Sequence, residues 1–175
     1  MQPKQLHETH PHLKEFIVFL DKLKDESDRG MVLISTGYLE EQLKKILLAY
    51  FVDDPALVSL VDGGSAPLGA FSARITSCYA LGLISKREHD DLHILRRIRN
   101  DFAHNIYASF KTQSIIDRCK LLQFKAHDYS SPELGEVIVP PYGQFNTAAT
   151  GLILNFVNRP HYVGKERRKH QDWPY

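Results

Sequence analysis

Residues 85–104 read SKREHDDLHILRRIRNDFAH and predict one capped, amphipathic helix. Ser85 and Glu88 have the spacing of a capping box, in which the serine side chain and the glutamate three residues later close the start of a helix. Apolar residues then recur at helical spacing on one face, and charged residues fill the opposite face. The apolar positions are Leu95, Ile98 and Phe102. We therefore expect an amphipathic helix whose apolar face packs into a core.

Apolar residues recur every three or four positions on both sides of this segment, which predicts more helices. The predicted segments are 11–26, 28–51, 68–83, 85–104, 112–125 and 145–158, with a short helix at 56–61. Residues 126–142 contain three prolines and a short β-like run. This pattern predicts an irregular or β-ribbon arm. The fold class is therefore all-α, a single-domain bundle of about six helices with one short arm.

The 175 residues suffice for one domain with a substantial core and are few for two. We expect residues 1–11 to form a flexible lead-in, residues 12–160 the helical domain and residues 161–175 a basic tail. No apolar run approaches the roughly 18 residues of a membrane span, and the N-terminus lacks an apolar signal-peptide core. These features predict a cytoplasmic protein without membrane contact.

The net charge is +1, from 22 basic and 21 acidic residues. Proteins that bind DNA alone usually carry a clear basic excess, so we expect DNA contact to be weak or indirect. Cys78 and Cys119 are far apart, which argues against a disulfide or a zinc site. The histidines His7, His10 and His12 lack a carboxylate or cysteine that would complete a metal site. The sequence predicts neither a metal nor a cofactor.

The end of the predicted helix 85–104 concentrates hydrogen-bonding side chains, RRIRNDFAHN at residues 96–105. Arginine offers a rigid, permanently charged set of donors, and histidine changes charge near neutral pH. The candidate binding residues are Arg96, Arg97, Arg99, Asn100, Asp101 and His104. Such a cluster is typical of an interaction surface or of a site for phosphate chemistry.

Three interpretations of this cluster remain open from the residues alone. In the structural one, Arg99 pairs with a carboxylate of another helix, while Asn100 and His104 hydrogen-bond the helix end. In the second, the arginine-rich helix end binds acidic residues of a partner protein. In the third, His104 acts as general acid or base on an RNA 2′-hydroxyl and Arg99 stabilises the phosphorane charge. Arg99 and His104 lie ~140° apart on a regular helix, so this hypothesis needs a helix end near Ala103 or a second chain.

Three sequence stretches resemble the mannitol operon repressor family. They are LGAFSARI at 68–75, YALGLI at 79–84 and the segment 92–104 with its IRNDFAH ending. The resemblance implies an all-helical domain and negative control of mannitol uptake and utilisation genes in bacteria. The Arg-Asn-x-x-Ala-His element also recurs in the broader HEPN group of helical domains, several of which are ribonucleases. The alternative function is therefore a HEPN-like, metal-independent ribonuclease using Arg99 and His104.

The sequence shows no short glycine-containing turn between two helices with an exposed, basic second helix, the pattern of a helix-turn-helix. We therefore expect repression to work through a protein partner, either another regulator or a component of the sugar system. A third possibility is a sensor of mannitol or a sugar phosphate, with Arg96 or Arg97 binding the phosphate. The apolar run MVLI at 31–34 predicts a homodimer, because one small bundle leaves such surface uncovered.

Overall fold

A 23-residue helix, Asp28–Tyr50, lies at the centre of the computed structural model, which describes residues 14–63, 65–131, 133 and 135–174. The α-helices are α1 Lys14–Leu23, α2 Asp28–Tyr50, α3 Val58–Val61, α4 Phe71–Ala80, α5 Lys86–His104, α6 Gln113–Leu121, α7 Pro141–Val157 and α8 Arg159–Val163. Short 3-10 turns occupy Pro55–Leu57 and Gly164–Glu166, and the strands are β1 Tyr129–Ser131 and β2 Gly135–Val137. The prediction of an all-α bundle with a short β arm is confirmed.

Helix α2 contacts α4, α5, α7 and α8, so it is covered on several sides. Its start is fixed by Ser27, whose hydroxyl accepts a hydrogen bond from the Gly30 amide at 3.1 Å. Met31 and Val32 are buried, whereas Ile34 stays 38% exposed. The helices of the same chain therefore cover most of the apolar run that motivated the homodimer, and the homodimer stays a prediction.

The capping box at the start of α5 is confirmed. The Glu88 amide donates to the Ser85 hydroxyl at 3.3 Å, and the Ser85 amide donates to the Glu88 carboxylate at 2.7 Å. The apolar face of α5 is fully buried, as the periodicity predicts; its core residues are Leu92, Leu95, Ile98 and Phe102. This packing fixes the direction in which the remaining faces of α5 point.

The arm is a two-stranded antiparallel ribbon in which Tyr129 pairs with Val137. Helix α6 ends at Leu121, four residues before the predicted end, since the Gln123 and Phe124 amides both donate to the buried Asp91 carboxylate at 2.9 Å. Helix α7 begins at Pro141, earlier than predicted. Proline suits a first helical position because its missing N–H would have no partner there.

The basic C-terminal segment packs against the end of α2. The Arg168 amide donates to the Tyr50 carbonyl at 2.8 Å, and the Arg167 guanidinium lies 2.8 Å from the Asp53 carboxylate. Cationic groups at a helix C-terminus complement its dipole. The predicted lead-in 1–11, with its histidines, lies outside the described residues, and the proposed domain division stays a prediction. Within the described ranges, none of the helices has the length and apolar character that a bilayer crossing requires.

Candidate functional site

The six candidate residues lie in the last three turns of α5, where they meet three different environments. Arg96, Arg99 and Asn100 line a cavity between α5, α2 and the start of α4. Asp101 forms an ion pair with Arg118 of α6. The two remaining candidates, Arg97 and His104, are exposed. The structure therefore brings three of the six together at one cavity.

The cavity has a volume of about 270 Å³. Its other walls come from α2 and from the beginning of α4; these residues are Glu40, Ala70, Phe71 and Ser72. Two arginines from α5 and one glutamate from α2 thus face the same space. The cavity is polar and combines hydrogen-bond donors of Arg96 and Arg99 with a single carboxylate acceptor.

The arginines of the cavity differ in how their donors are used. Arg99 Nη1 donates to the amide oxygen of its neighbour Asn100 at 3.2 Å. In the described part of the chain Arg99 has no carboxylate partner, so the pairing expected from the structural interpretation is absent there. The Nε atom of Arg96 is buried and meets no acceptor among the described residues. Buried donors are normally satisfied, so Arg96 holds unused hydrogen-bonding capacity.

Arg74 of α4 lies behind the cavity, which it does not line, and binds the segments that form the wall opposite α5. Its buried guanidinium donates to the backbone carbonyls of Leu68, Glu40 and Val61 at 2.9, 3.2 and 2.7 Å. Its Nη1 also lies 3.8 Å from the Glu40 carboxylate. Arg74 therefore ties the segment before α4 to α2, and it partly offsets the charge that Glu40 brings to the cavity.

The start of α4 adds partial positive charge. Its N-cap residue is Ala70, and no side chain caps the helix there. The first backbone N–H groups of a helix lack intrahelical acceptors, which gives this end a positive potential. Because Phe71 and Ser72 both line the cavity, this potential acts on the same space as the two arginines.

The end of α5 is held by a residue from α2. The Arg29 guanidinium donates to the Phe102 carbonyl and, at 2.8 Å, to the Asn105 carbonyl. The Asn105 side chain accepts from the Tyr107 amide at 2.9 Å, which closes the turn that follows. Arg29 and Asn105 thus have the role that the structural interpretation gave to Asn100 and His104.

His104 is exposed and does not line the cavity that contains Arg99. The side chains that follow it are also exposed: Ile106 by 77% and Tyr107 by 84%. The cavity at Arg99 therefore does not bring the two members of the Arg99–His104 pair together. The ribonuclease hypothesis stays a prediction.

Four residues that shape this region could not be predicted from the sequence alone. Arg29, Glu40, Ser72 and Arg74 come from other helices, and only the fold brings them to α5. Arg74 alone left a trace in the sequence, as a charge within the otherwise apolar and small-residue stretch 68–83. A charge at such a position indicates a buried cation with backbone partners.

The described residues form no metal-binding cluster, and their two cysteines are buried. Across the described residues, no group of three or more His, Cys, Asp or Glu side chains could hold a metal ion. Cys78 and Cys119 are both buried, and burial raises the pKa of each thiol to about 12. Both therefore stay protonated and unreactive near neutral pH.

The fold defined by these helices occurs in a solved structure. A chain in the X-ray structure of the MtlR–HPr complex from Escherichia coli matches with a TM-score of 0.56. The match covers 85% of the present chain and 97% of that chain, at 20% sequence identity. At this identity the likeness shows a shared fold.

The particular family follows from the sequence match. The model of the MtlR family, described as mannitol repressor, matches residues 18–134, which include α5 and the cavity. The chain belongs to the mannitol repressor family, and the resemblance found in the sequence is confirmed.

Two curated relatives support this assignment. The mannitol operon repressors of Escherichia coli strains K12 and O6:H1 (CFT073) are each 29% identical over 82 residues. The aligned segment is 44% of this chain and 42% of each relative, so it spans less than half of their length.

Proposed function

We propose that this chain is a negative regulator of a mannitol utilisation operon and that it acts by binding a protein partner. The observation that carries the proposal is the match of the mannitol repressor model to residues 18–134. The proposal assigns no catalytic step to the chain. Any contact with operator DNA is weak or indirect.

The charge distribution of α5 supports an indirect route to DNA. A short turn with Gly82 at φ +70° joins α4 to α5, an arrangement that outwardly resembles a helix-turn-helix. A recognition helix, however, places exposed basic and polar side chains in the major groove from its N-terminal turns. In the same turns of α5 the exposed basic residues are Lys86, which is paired with Asp90, and Arg87, whose guanidinium lies over the Phe124 ring. Together with the net charge of +1, this argues against independent base recognition.

The partner that deserves the first test is HPr. The structural neighbour is a complex of MtlR with HPr, and we extend that pairing to the present chain as a proposal. The exposed residues at the end of α5 and just after it offer a docking surface, defined by His104, Ile106 and Tyr107. Exposed apolar side chains grouped with a polar one are typical of interfaces, where tyrosine often contributes strongly.

Two experiments test the two halves of the proposal. Deleting the gene should raise transcription of the mannitol operon during growth without mannitol, and complementation with the intact gene should restore repression. Unchanged transcription in the deletion strain would contradict the regulatory role.

Calorimetric titration of the purified chain with HPr from the same organism should show saturable binding. Absence of binding would contradict the choice of HPr as the partner. The regulatory role would still be decided by the transcription assay.

A further inference from the structure

We infer that the cavity between α2, α4 and α5 binds a small phosphorylated molecule that also carries hydroxyl groups. This site is independent of the exposed surface at His104, Ile106 and Tyr107. The inference therefore does not rest on the proposed protein partner.

Two guanidinium groups make the cavity suited to an anion. Arg96 and Arg99 both line it, and both are half-buried, so their charges are less screened than those of exposed arginines. Arginine forms paired, charge-assisted hydrogen bonds with phosphate oxygens. Arg96 also has the buried Nε donor that no acceptor reaches in the described residues. This Nε has almost no accessible surface, so phosphate oxygens would be met by the terminal nitrogens of Arg96, which make no hydrogen bond within the described residues.

The start of α4 supplies further donors on the facing wall. The first-turn residues Phe71 and Ser72 line the cavity, and no side chain caps this helix end. Backbone N–H groups at a helix start bind phosphate readily, and the Ser72 hydroxyl can donate as well. An anion in this cavity would therefore meet donors from two helices at once.

Glu40 determines what the rest of the ligand must be. Its carboxylate lines the cavity, but Arg74 lies 3.8 Å from it and offsets its charge. The cavity lining therefore has a net positive charge, because Arg96 and Arg99 are opposed only by a glutamate whose charge Arg74 already offsets. A carboxylate is an acceptor only, so it favours a ligand with hydroxyl donors beside the phosphate. Asn100 adds an amide on the same wall, and its oxygen is already used by Arg99, which leaves its N–H groups to donate.

The size of the cavity restricts the ligand to a small molecule. Its volume of about 270 Å³ lies just below the range of roughly 300–1,000 Å³ typical of small-molecule sites. A phosphate ester of a short polyol combines the required anion and hydroxyl groups at this size. A bare polyol lacks the anion, and inorganic phosphate lacks the groups that Glu40 selects.

Calorimetry on the full chain tests the inference with four probes: inorganic phosphate, glycerol 3-phosphate, mannitol 1-phosphate and mannitol. The phosphorylated polyols should bind more tightly than inorganic phosphate, and mannitol should not bind. Arg96→Gln and Arg99→Gln should each weaken binding of the phosphorylated polyols about tenfold or more, because each removes a charge-assisted hydrogen bond. Arg97→Gln is the matched control, since Arg97 lies on the same helix, is exposed and does not line the cavity; its affinity should stay within about twofold of the wild type.

Glu40→Gln tests the hydroxyl contact separately. It should reduce the preference for phosphorylated polyols over inorganic phosphate without abolishing phosphate binding. Circular dichroism checks that each variant folds. If Arg99→Gln does not fold, Arg99→Lys replaces it, because lysine keeps the charge but loses the planar fork of donors. No binding of any phosphorylated probe at about 10 mM, or equal binding by wild type and the folded Arg99 variant, would overturn the inference.

Discussion

Arg159 on α8 binds the Glu88 carboxylate at the start of α5 through two hydrogen bonds, of 2.8 and 2.7 Å. Glu88 is only 5% exposed, and it also accepts from the Ser85 amide. The same arginine donates to the Leu83 carbonyl and stacks over the Phe156 ring. One ion pair therefore joins the C-terminal part of the chain to the helix that holds the candidate site.

Replacing Glu88 with alanine should destabilise the fold strongly. Removing Glu88 leaves the partly buried Arg159 guanidinium without its acceptor, which costs about 1–3 kcal/mol. Chemical denaturation should therefore show a large drop in the free energy of unfolding. Lys86→Ala is the matched control, because the Lys86–Asp90 pair is more exposed and such pairs contribute about 0–1 kcal/mol. Equal losses in the two variants would contradict the role given to the Glu88–Arg159 pair.

The same pair should make stability depend on pH. Burial alone would raise the pKa of Glu88, but hydrogen bonds from Arg159 and Ser85 and the Arg159 charge outweigh it and lower the pKa. A carboxyl with a lowered pKa in the folded state stabilises the protein above its unfolded pKa, about 4.3 for glutamate. This contribution is lost as the pH falls through the lower, folded-state value.

The free energy of unfolding should therefore be compared for wild type and Glu88→Gln at neutral pH and near pH 3. The gap between the two proteins should be wide at neutral pH and narrower in acid. A gap that stays constant, or widens in acid, would show that Glu88 does not titrate as described.

The regulatory proposal predicts that the chain does not cleave RNA. Arg99 lines the cavity and His104 does not, so the pair needed for general acid–base chemistry does not share that space. Wild type and His104→Ala should leave structured and single-stranded RNA equally intact. Cleavage by wild type that disappears in His104→Ala would establish the ribonuclease alternative instead.

The position of the docking surface at His104, Ile106 and Tyr107 predicts which variants should bind HPr more weakly. Ile106→Ser combined with Tyr107→Ser should weaken HPr binding at least about tenfold, since central interface residues commonly contribute more than 1 kcal/mol each. Ile138→Ser is the control, because Ile138 is 74% exposed but lies beyond strand β2 in the ribbon arm. If the control weakens binding as much as the double variant, the docking surface has been placed wrongly.

Local patterns in the sequence were enough to predict α5. The Ser85–Glu88 capping box and the helical spacing of its apolar residues act within one helix, so both boundaries of α5 agree with the prediction. The end of α6 was missed because it depends on Asp91, which lies 32 residues from the Gln123 amide it binds. Such long-range hydrogen bonds leave no periodic pattern.

The candidate site likewise contains some residues that the sequence could predict and others that it could not. Arg96, Arg99 and Asn100 could be selected as polar residues on one helix, and the structure places all three at the cavity. Glu40 and Ser72 could not be selected, because only the packing of α2 and α4 against α5 brings them there. Asp101 was selected but forms an ion pair with Arg118 away from the cavity, as charged helical residues often do.

The central claim is that the chain regulates through a protein partner without recognising operator DNA by itself. A mobility-shift titration with mannitol-operon promoter DNA, at about 150 mM salt and with non-specific competitor, tests it most directly. The purified chain alone should give no sequence-specific shift at nanomolar concentrations. A specific shift with a Kd of about 10⁻⁸ M or tighter, the range of dedicated DNA-binding proteins, would contradict the account.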